Sequence, residues 1–229
     1  MLRRLGEKGV RRVIVESRCE FINEGILKHA KDLVDLDVAV GLETTNDEIR
    51  EECIGKGMKF EDYLRVVDIA YKLGVGIKTY LLLKPPFLSE VEAIGDIMRS
   101  IDDIMGLDIQ TRISINLCNV QRGTVVEALW RKREYRPPWL WSALYILKYC
   151  KGKYPELVLM SDPVGYGREG GPHNCGECDR MVASAIKSFS ETQDIRHLTD
   201  TFRVGCECLE KWKWVLRLDH KGYGTSLFA

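Results

Sequence analysis

The chain has no apolar run approaching the length of a membrane span, so it does not read as an integral membrane protein. It has no net charge, because 34 Lys and Arg balance 34 Asp and Glu. That excludes a protein drawn onto nucleic acid by bulk charge, while local basic patches stay open. The start, MLRRLGEKGVRR, is basic, but no apolar stretch and no small-residue cleavage site follow it, so it does not read as a secretory signal. Low-complexity segments and internal repeats are absent. Without a secretion signal, the eight cysteines point to metal binding rather than disulfides, and the expected location is cytoplasmic.

With 229 residues and 45% hydrophobic content, the chain can bury a substantial core. One large domain, or one domain with a small appendage, is expected. Four apolar, β-branched runs alternate with helix-like stretches: VRRVIVES (10–17), LDVAVGLET (36–44), VGIKTYLLLKPP (75–86) and TRISINLCNV (111–120). The helix at 59–74 has Leu64, Val67, Ile69 and Leu73 as apolar positions, and the helix at 89–107 opens with Ser89 and Glu92 as a capping box. Near-continuous apolar strands separated by helices predict an α/β fold of about four parallel strands with helices outside. Composition breaks at Tyr135-Arg136-Pro137-Pro138-Trp139. A loose boundary is expected near 160, giving an α/β part over 1–160 and a cysteine-rich tail over 161–229.

The strands end in polar residues: Glu16-Ser17-Arg18, Glu43-Thr44, Lys84, and Asn116 with Asn119 and Gln121. In parallel α/β barrels the C-terminal strand ends form the active face, so these residues form a candidate site for a polar ligand. Read singly, each is equally a solvated loop residue or cap.

In the tail, Cys175-Gly176-Glu177-Cys178 is followed by Cys206-Glu207-Cys208. Four thiolates in two close pairs suffice to close a tetrahedral metal site. Zinc is the favoured metal, with an auxiliary iron–sulfur cluster as the alternative. The helix-like stretch between the pairs must fold back to join them, packing Met181, Val182, Ala185, Ile186 and Phe189 inward. His173 is a substitute ligand, though a loop histidine is the simpler reading. Gly165, Gly167, Gly170 and Gly171 lack the strand-to-helix context of a phosphate loop.

Two basic aromatic stretches, Trp130–Arg136 and Lys211–Trp214, pair cations for phosphates with rings for unpaired bases. The competing assignment places Trp139, Trp141 and Trp214 in the core.

The strings VIVESRCEFI, VAVGLETTNDEIREECIGKG, GIKTYLLLKPPFLSE, ISINLCNVQRGTVVEALW, YRPPWLWS and SDPVGYGREGGPHNCGECD resemble the archaeal radical S-adenosylmethionine enzymes of archaeosine synthesis. Those enzymes are relatives of the radical domain of the Elongator catalytic subunit. The resemblance covers nearly the whole chain. It implies a partial TIM-type barrel that binds S-adenosylmethionine and a [4Fe-4S] cluster. It also implies radical cleavage of a lysine-modified 7-deazaguanine in transfer RNA, alongside a partner that attaches the lysine. On this resemblance Glu16, Arg18, Glu43, Lys84 and Asn116 contact the cofactor or the substrate base, with Arg18 suited to the cofactor's carboxylate.

One departure is plain. The family's Cys-x3-Cys-x2-Cys motif, which leaves one iron open to the cofactor, is absent, and Cys19, Cys53, Cys118 and Cys150 stand alone. By resemblance the chain corresponds to the barrel from its third strand onward. The expectation is a C-terminal portion, either a truncated form or one half of an enzyme whose separate chain carries the cluster loop. The alternative is a non-catalytic, metal-stapled RNA-binding module.

Overall fold

The computed structural model describes residues 2–107 and 109–219. Strands β1 (Arg12–Ser17), β2 (Asp35–Glu43), β3 (Gly76–Leu83), β4 (Thr111–Leu117) and β5 (Val158–Asp162) form one sheet in sequential order. Every neighbouring pair is parallel. Parallel neighbours require long crossovers, which are supplied here by helices. These are α2 (Glu24–Lys31), α3 (Phe60–Leu73), α4 (Glu90–Met105), and α5 (Val125–Arg131) with α6 (Leu140–Lys153). A short helix, α1 (Leu2–Glu7), precedes β1, and α7 (Asp179–Thr192), α8 (Arg196–Val204) and α9 (Glu207–Leu218) follow β5. No helix among the described residues is long and apolar enough to cross a membrane.

The sheet has five strands rather than four. Val158–Asp162 reads VLMSD, too short and too mixed to stand out beside the β-branched runs, and it pairs along β4 from Arg112↔Val158 to Asn116↔Asp162. It runs through the expected boundary near 160. Helix α7 packs on β5, and Val182, Ile186 and Phe189 share one apolar core with Val38, Leu81 and Ile115. The capping box at Ser89 forms as read, with Ser89 and Glu92 exchanging bonds. In α3 the buried face falls on Tyr63, Val66, Val67 and Ala70, so Leu64, Ile69 and Leu73 are only partly covered. The structure turns α3 by about one residue because Tyr63 is drawn in to bond Thr79 at 2.7 Å.

The face turned from the helices is polar. Asp37, only 2% exposed, receives two bonds of 2.8 Å from Arg12 and lies 3.0 Å from Arg112. A Cβ at Gly76 would fall 2.0 Å from the Asp37 carboxylate, so glycine keeps this seat open.

On β1, the sheet's edge strand, Ile14 is 46% exposed, and Phe21, just beyond the strand, is 66% exposed. An unpaired edge beside exposed apolar side chains favours self-association. Sedimentation velocity across a concentration series should show the purified chain associating, and Ile14→Lys should reduce that association.

Asp96 is a second point of tension. It is 1% exposed; one oxygen accepts from the Thr44 hydroxyl at 2.8 Å and the other has no partner. Burial pushes its carboxyl up to about 6, against the opposing Thr44 bond. The folded state therefore holds this proton more tightly than the unfolded chain, whose value is about 4. The resulting stability is present below the unfolded value and is lost as pH rises through about 6. Urea unfolding should show this loss between about pH 4 and pH 6, and Asp96→Asn, which mimics the protonated acid, should flatten it and stabilise the chain at neutral pH.

Candidate functional site: two cavities at the strand ends and a four-thiol centre

At the C-terminal ends of β1 to β4 lies a cleft of about 710 Å³ lined by Glu16, Ser17, Arg18, Phe21, Ala39, Gly41, Glu43, Tyr80 and Asn116. Four of the five residues expected from the strand ends therefore converge on one space. Glu16 accepts a 2.7 Å bond from the Tyr80 hydroxyl. Burial, with that bond, pushes the Tyr80 phenol up to about 12. Arg18 is half exposed, pairs with Glu20 at 2.5 Å and donates to the Lys56 carbonyl at 3.3 Å. Its fork is thus held beside the cleft by a solvated partner that an incoming carboxylate can replace.

Glu43 departs most from ordinary geometry. Its φ is +70°, left-handed for a residue with a side chain, and its carboxylate meets the Lys56 ammonium at 2.6 Å. A Cβ at Gly41 would lie 2.7 Å from both groups, so only glycine lets the pair rest on the strand. The conformation is enforced from below. Arg50, fully buried, donates to the carbonyls of Leu42 and Met58 at 3.1 Å, donates to that of Thr44 and pairs with Asp47. Its guanidinium ties down the residues on both sides of Glu43. Sequence reading missed Lys56, Tyr80 and Arg50. Only Tyr80 carried a signal, since strand alternation places it on the same face as Lys78.

Lys84 lies apart from the cleft. Its φ is also left-handed, +61°, and its ammonium forms a buried 2.7 Å pair with Glu90. The other Glu90 oxygen accepts from Trp139 N at 2.9 Å and from Ser142 Oγ at 2.5 Å. Lys84 instead lines a second cavity, about 560 Å³, with Phe87, Trp130, Arg133, Arg136 and His173 among its walls.

The four tail cysteines meet. Cys175 Sγ lies 3.8 Å from Cys178 and 3.7 Å from Cys206, and Cys178 lies 3.4 Å from Cys208, with all four sulfurs within 4.8 Å of one another. A tetrahedral ion with metal–sulfur bonds of about 2.3 Å sets its sulfurs about 3.8 Å apart, so the group fits a four-thiolate centre. Two N–H groups aim at the sulfurs, Trp141 Nε1 at Cys208 (3.2 Å) and Asn174 Nδ2 at Cys178 (3.4 Å), as outer partners of thiolate ligands do. Burial pushes the Cys208 thiol upward and the Cys178 thiol up to about 11. Burial opposes ionisation of Cys175 too, but the backbone N–H groups of Cys178 and Glu177 bring it below its ordinary value. A cation would reverse the cost of gathering these sulfurs as thiolates. His173 stands outside this four-sulfur group, with its Nδ1 2.8 Å from the Gly171 carbonyl.

The pairs come together because α7 stops at Gln193, whose φ is +60°. The Gln193 side chain bonds both the N–H and the carbonyl of Leu159, pinning the turn to β5 and sending α8 back. Of the tryptophans expected in the core, Trp139 and Trp141 are there, whereas Trp214 is 58% exposed with Arg217 over its ring. Trp212 is the buried member of its stretch, bonding Ser142 at 2.8 Å.

No family model matches the chain. The fold is shared with an archaeal structure, Elp3 of Methanocaldococcus infernus with an N-terminal deletion, at a TM-score of 0.60 and 17% identity over 78% of this chain and 42% of that one. Sheet and thiol group together define a five-stranded parallel α/β fold of the kind seen in that Elp3, with a four-cysteine group near its C-terminal end. Archaeosine synthase subunit beta of Methanosarcina acetivorans is 47% identical over 221 residues, 95% of this chain and 62% of that protein. The protein of the same name from Thermococcus kodakarensis is 41% identical over 211 residues, 90% of this chain and 64% of that protein. The chain is a homologue of these archaeosine synthase beta subunits and spans somewhat under two thirds of their length.

Replacing Cys178, a buried member of the group 3.8 Å from Cys175 and 3.4 Å from Cys208, should open the centre. Cys178→Ala is expected to lose bound metal, measured by mass spectrometry, and to expose new protease sites after residue 160. One metal per chain with an unchanged digestion pattern would overturn the four-thiol assignment.

Proposed function

We propose that this chain is the cofactor- and substrate-contacting part of a radical S-adenosylmethionine enzyme that forms archaeosine in transfer RNA. The observation that carries this reading is the convergence of Glu16, Arg18, Glu43 and Asn116 on one cleft at the C-terminal strand ends, in a homologue of proteins named archaeosine synthase subunit beta. The cleft suits S-adenosylmethionine chemically. Arg18 offers a fork to the methionine carboxylate. Glu16 and Glu43 offer acceptors to an ammonium or to ribose hydroxyls. Asn116 offers both a donor and an acceptor to an adenine edge. When bound, the cofactor supplies the radical chemistry.

This chain's residues do not fit the cluster that such chemistry requires. Cys19, Cys53, Cys118 and Cys150 are buried and scattered, and burial, the largest cause in each, raises all four thiols. The tail cysteines form a closed set of four, which leaves no open iron. We therefore assign the cluster to residues outside this chain and the tail centre to a structural metal, zinc by ligand type. The name "subunit beta" of the relatives supports a further subunit, which we take to be the one that attaches the lysine. Its place of action would be the cytoplasm. The domain division proposed is a barrel part to about residue 160 and a metal-held tail beyond it.

Calorimetric titration with S-adenosylmethionine tests the cleft. Weak but saturable binding is expected, reduced about ten-fold by Arg18→Ala or Glu43→Gln, the scale of one lost charged hydrogen bond. No saturable binding by the native chain would remove the reading. Reconstitution with iron and sulfide should give no reducible [4Fe-4S] signal that shifts on adding the cofactor. Such a signal surviving replacement of all four tail cysteines would reassign the cluster to this chain.

A further inference from the structure

We infer that the second cavity, walled by Lys84, Phe87, Trp130, Arg133 and Arg136, seats an unpaired nucleotide of an RNA strand, separately from the cofactor cleft. This inference rests on the reading that the chain acts on RNA. Its own evidence is local.

The first observation is a guanidinium whose hydrogen bonds all go to carbonyls. Arg136 is half-buried and stacks 3.9 Å from the centre of the Trp139 ring. It donates only to carbonyls: Pro137 and His173 at 2.8 and 2.7 Å, and Asn174 at 3.3 Å. Burial lowers its pKa to about 10, against the pull of Glu90 and Asp179 nearby. Arg133, at a left-handed φ of +63°, lines the same cavity from the exposed side.

The second observation is that the nearby carboxylates are committed. Asp179 accepts from the backbone N–H groups of Asn174 and Gly176, each at 3.0 Å. Glu90 is taken by Lys84, Ser142 and Trp139 N. Asp219 accepts from the Glu90 backbone N–H at the start of α4, at 2.9 Å. Glu134 is exposed at the rim. Two guanidiniums thus remain for an external anion.

The third is the aromatic wall. Trp130 is half-buried and borders both this cavity and a shallower depression that it shares with Arg131 and Arg133. An open indole flanked by arginines is the arrangement that stacks a base and holds its phosphate. The volume, about 560 Å³, lies within the roughly 300–1,000 Å³ of sites that enclose small ligands or single residues of a chain.

The seat also explains why the thiol centre stands beside it. Arg136 is aimed by the carbonyls of His173 and Asn174, the two residues before Cys175. A closed metal centre fixes those carbonyls and, through them, the cation.

The test uses the full chain and a labelled single-stranded RNA of mixed sequence in fluorescence anisotropy, with Trp130→Ala, Trp130→Phe and Arg133→Ala. Both side chains reach solvent, so melting curves should be unchanged. Each truncation is expected to weaken binding about ten-fold, the scale of one lost stack or phosphate contact, with Trp130→Phe retaining most of it. Ultraviolet cross-linking should map RNA to the peptide bearing residues 130–136. Binding unaffected by both truncations, a cross-link confined to Lys211–Trp214, or heparin binding that falls as much as RNA binding in Trp130→Ala would each overturn the inference. A free mononucleotide binding as tightly as the RNA would overturn the strand assignment. Parallel cofactor titration separates the two readings: cofactor binding without RNA binding sinks this inference alone, and RNA binding at this seat without cofactor binding sinks the cleft alone.

Discussion

The parallel register of the five strands governs where everything else falls. Because β1 to β5 all point one way, each strand delivers its final residues to the same edge of the sheet. Polar groups at those ends are cheap to keep, since the helices cover one face and leave the strand ends open. The cleft and the second cavity therefore both lie toward that edge. The cleft gathers the ends of β1, β2 and β4 with mid-β3, and the seat begins where β3 runs out at Lys84. Two of the strand ends, those of β2 and β3, also carry a backbone distortion, at Glu43 and Lys84, that an ordinary turn would not require. Strain of this kind persists only where surrounding bonds impose it. Arg50 does so for Glu43, and the Tyr135 hydroxyl, bonding the Lys84 carbonyl at 2.8 Å, does so for Lys84.

Much of this was legible in the sequence, for physical reasons. Strands covered by helices on one face must be apolar at every second position, and the β-branched residues filling those positions made β1 to β4 stand out. Polar residues ending such runs had to come out at one edge of the sheet, which is why the grouping of Glu16, Arg18, Glu43 and Asn116 around one cleft was legible without coordinates. The cysteine spacing was equally direct, because two close pairs of thiols have little use apart from a metal. What escaped were relations that depend on distance along the chain. Lys84 looked like its four counterparts, but its partner is Glu90, the first residue of α4, and no pattern in KPPFLSE announces a buried ion pair. Strand β5 escaped because five residues at a sheet edge need few β-branched side chains. Trp214 and Trp212 sit two apart on α9, and sequence alone did not say which would face Ser142.

The tail is more than an appendage because its bonds run back into the sheet's working edge. Trp141 supplies an N–H to Cys208 from α6, the helix whose first turn offers Trp139 N and Ser142 to Glu90. Glu90 in turn holds Lys84 at the end of β3. A path of single contacts therefore leads from a metal-binding sulfur to a strand end: Cys208, Trp141, the first turn of α6, Glu90 and Lys84. Arg136 makes a second path, from the carbonyls before Cys175 to the Trp139 ring. Both paths pass through buried polar groups whose partners are costly to remove, so neither end can shift without leaving a desolvated group unpaired. Closing the four-thiol centre then does for the seat at the strand ends what Arg50 does for Glu43. It fixes cations and carbonyls that water would otherwise be free to reorganise, so that a ligand meets a site already formed.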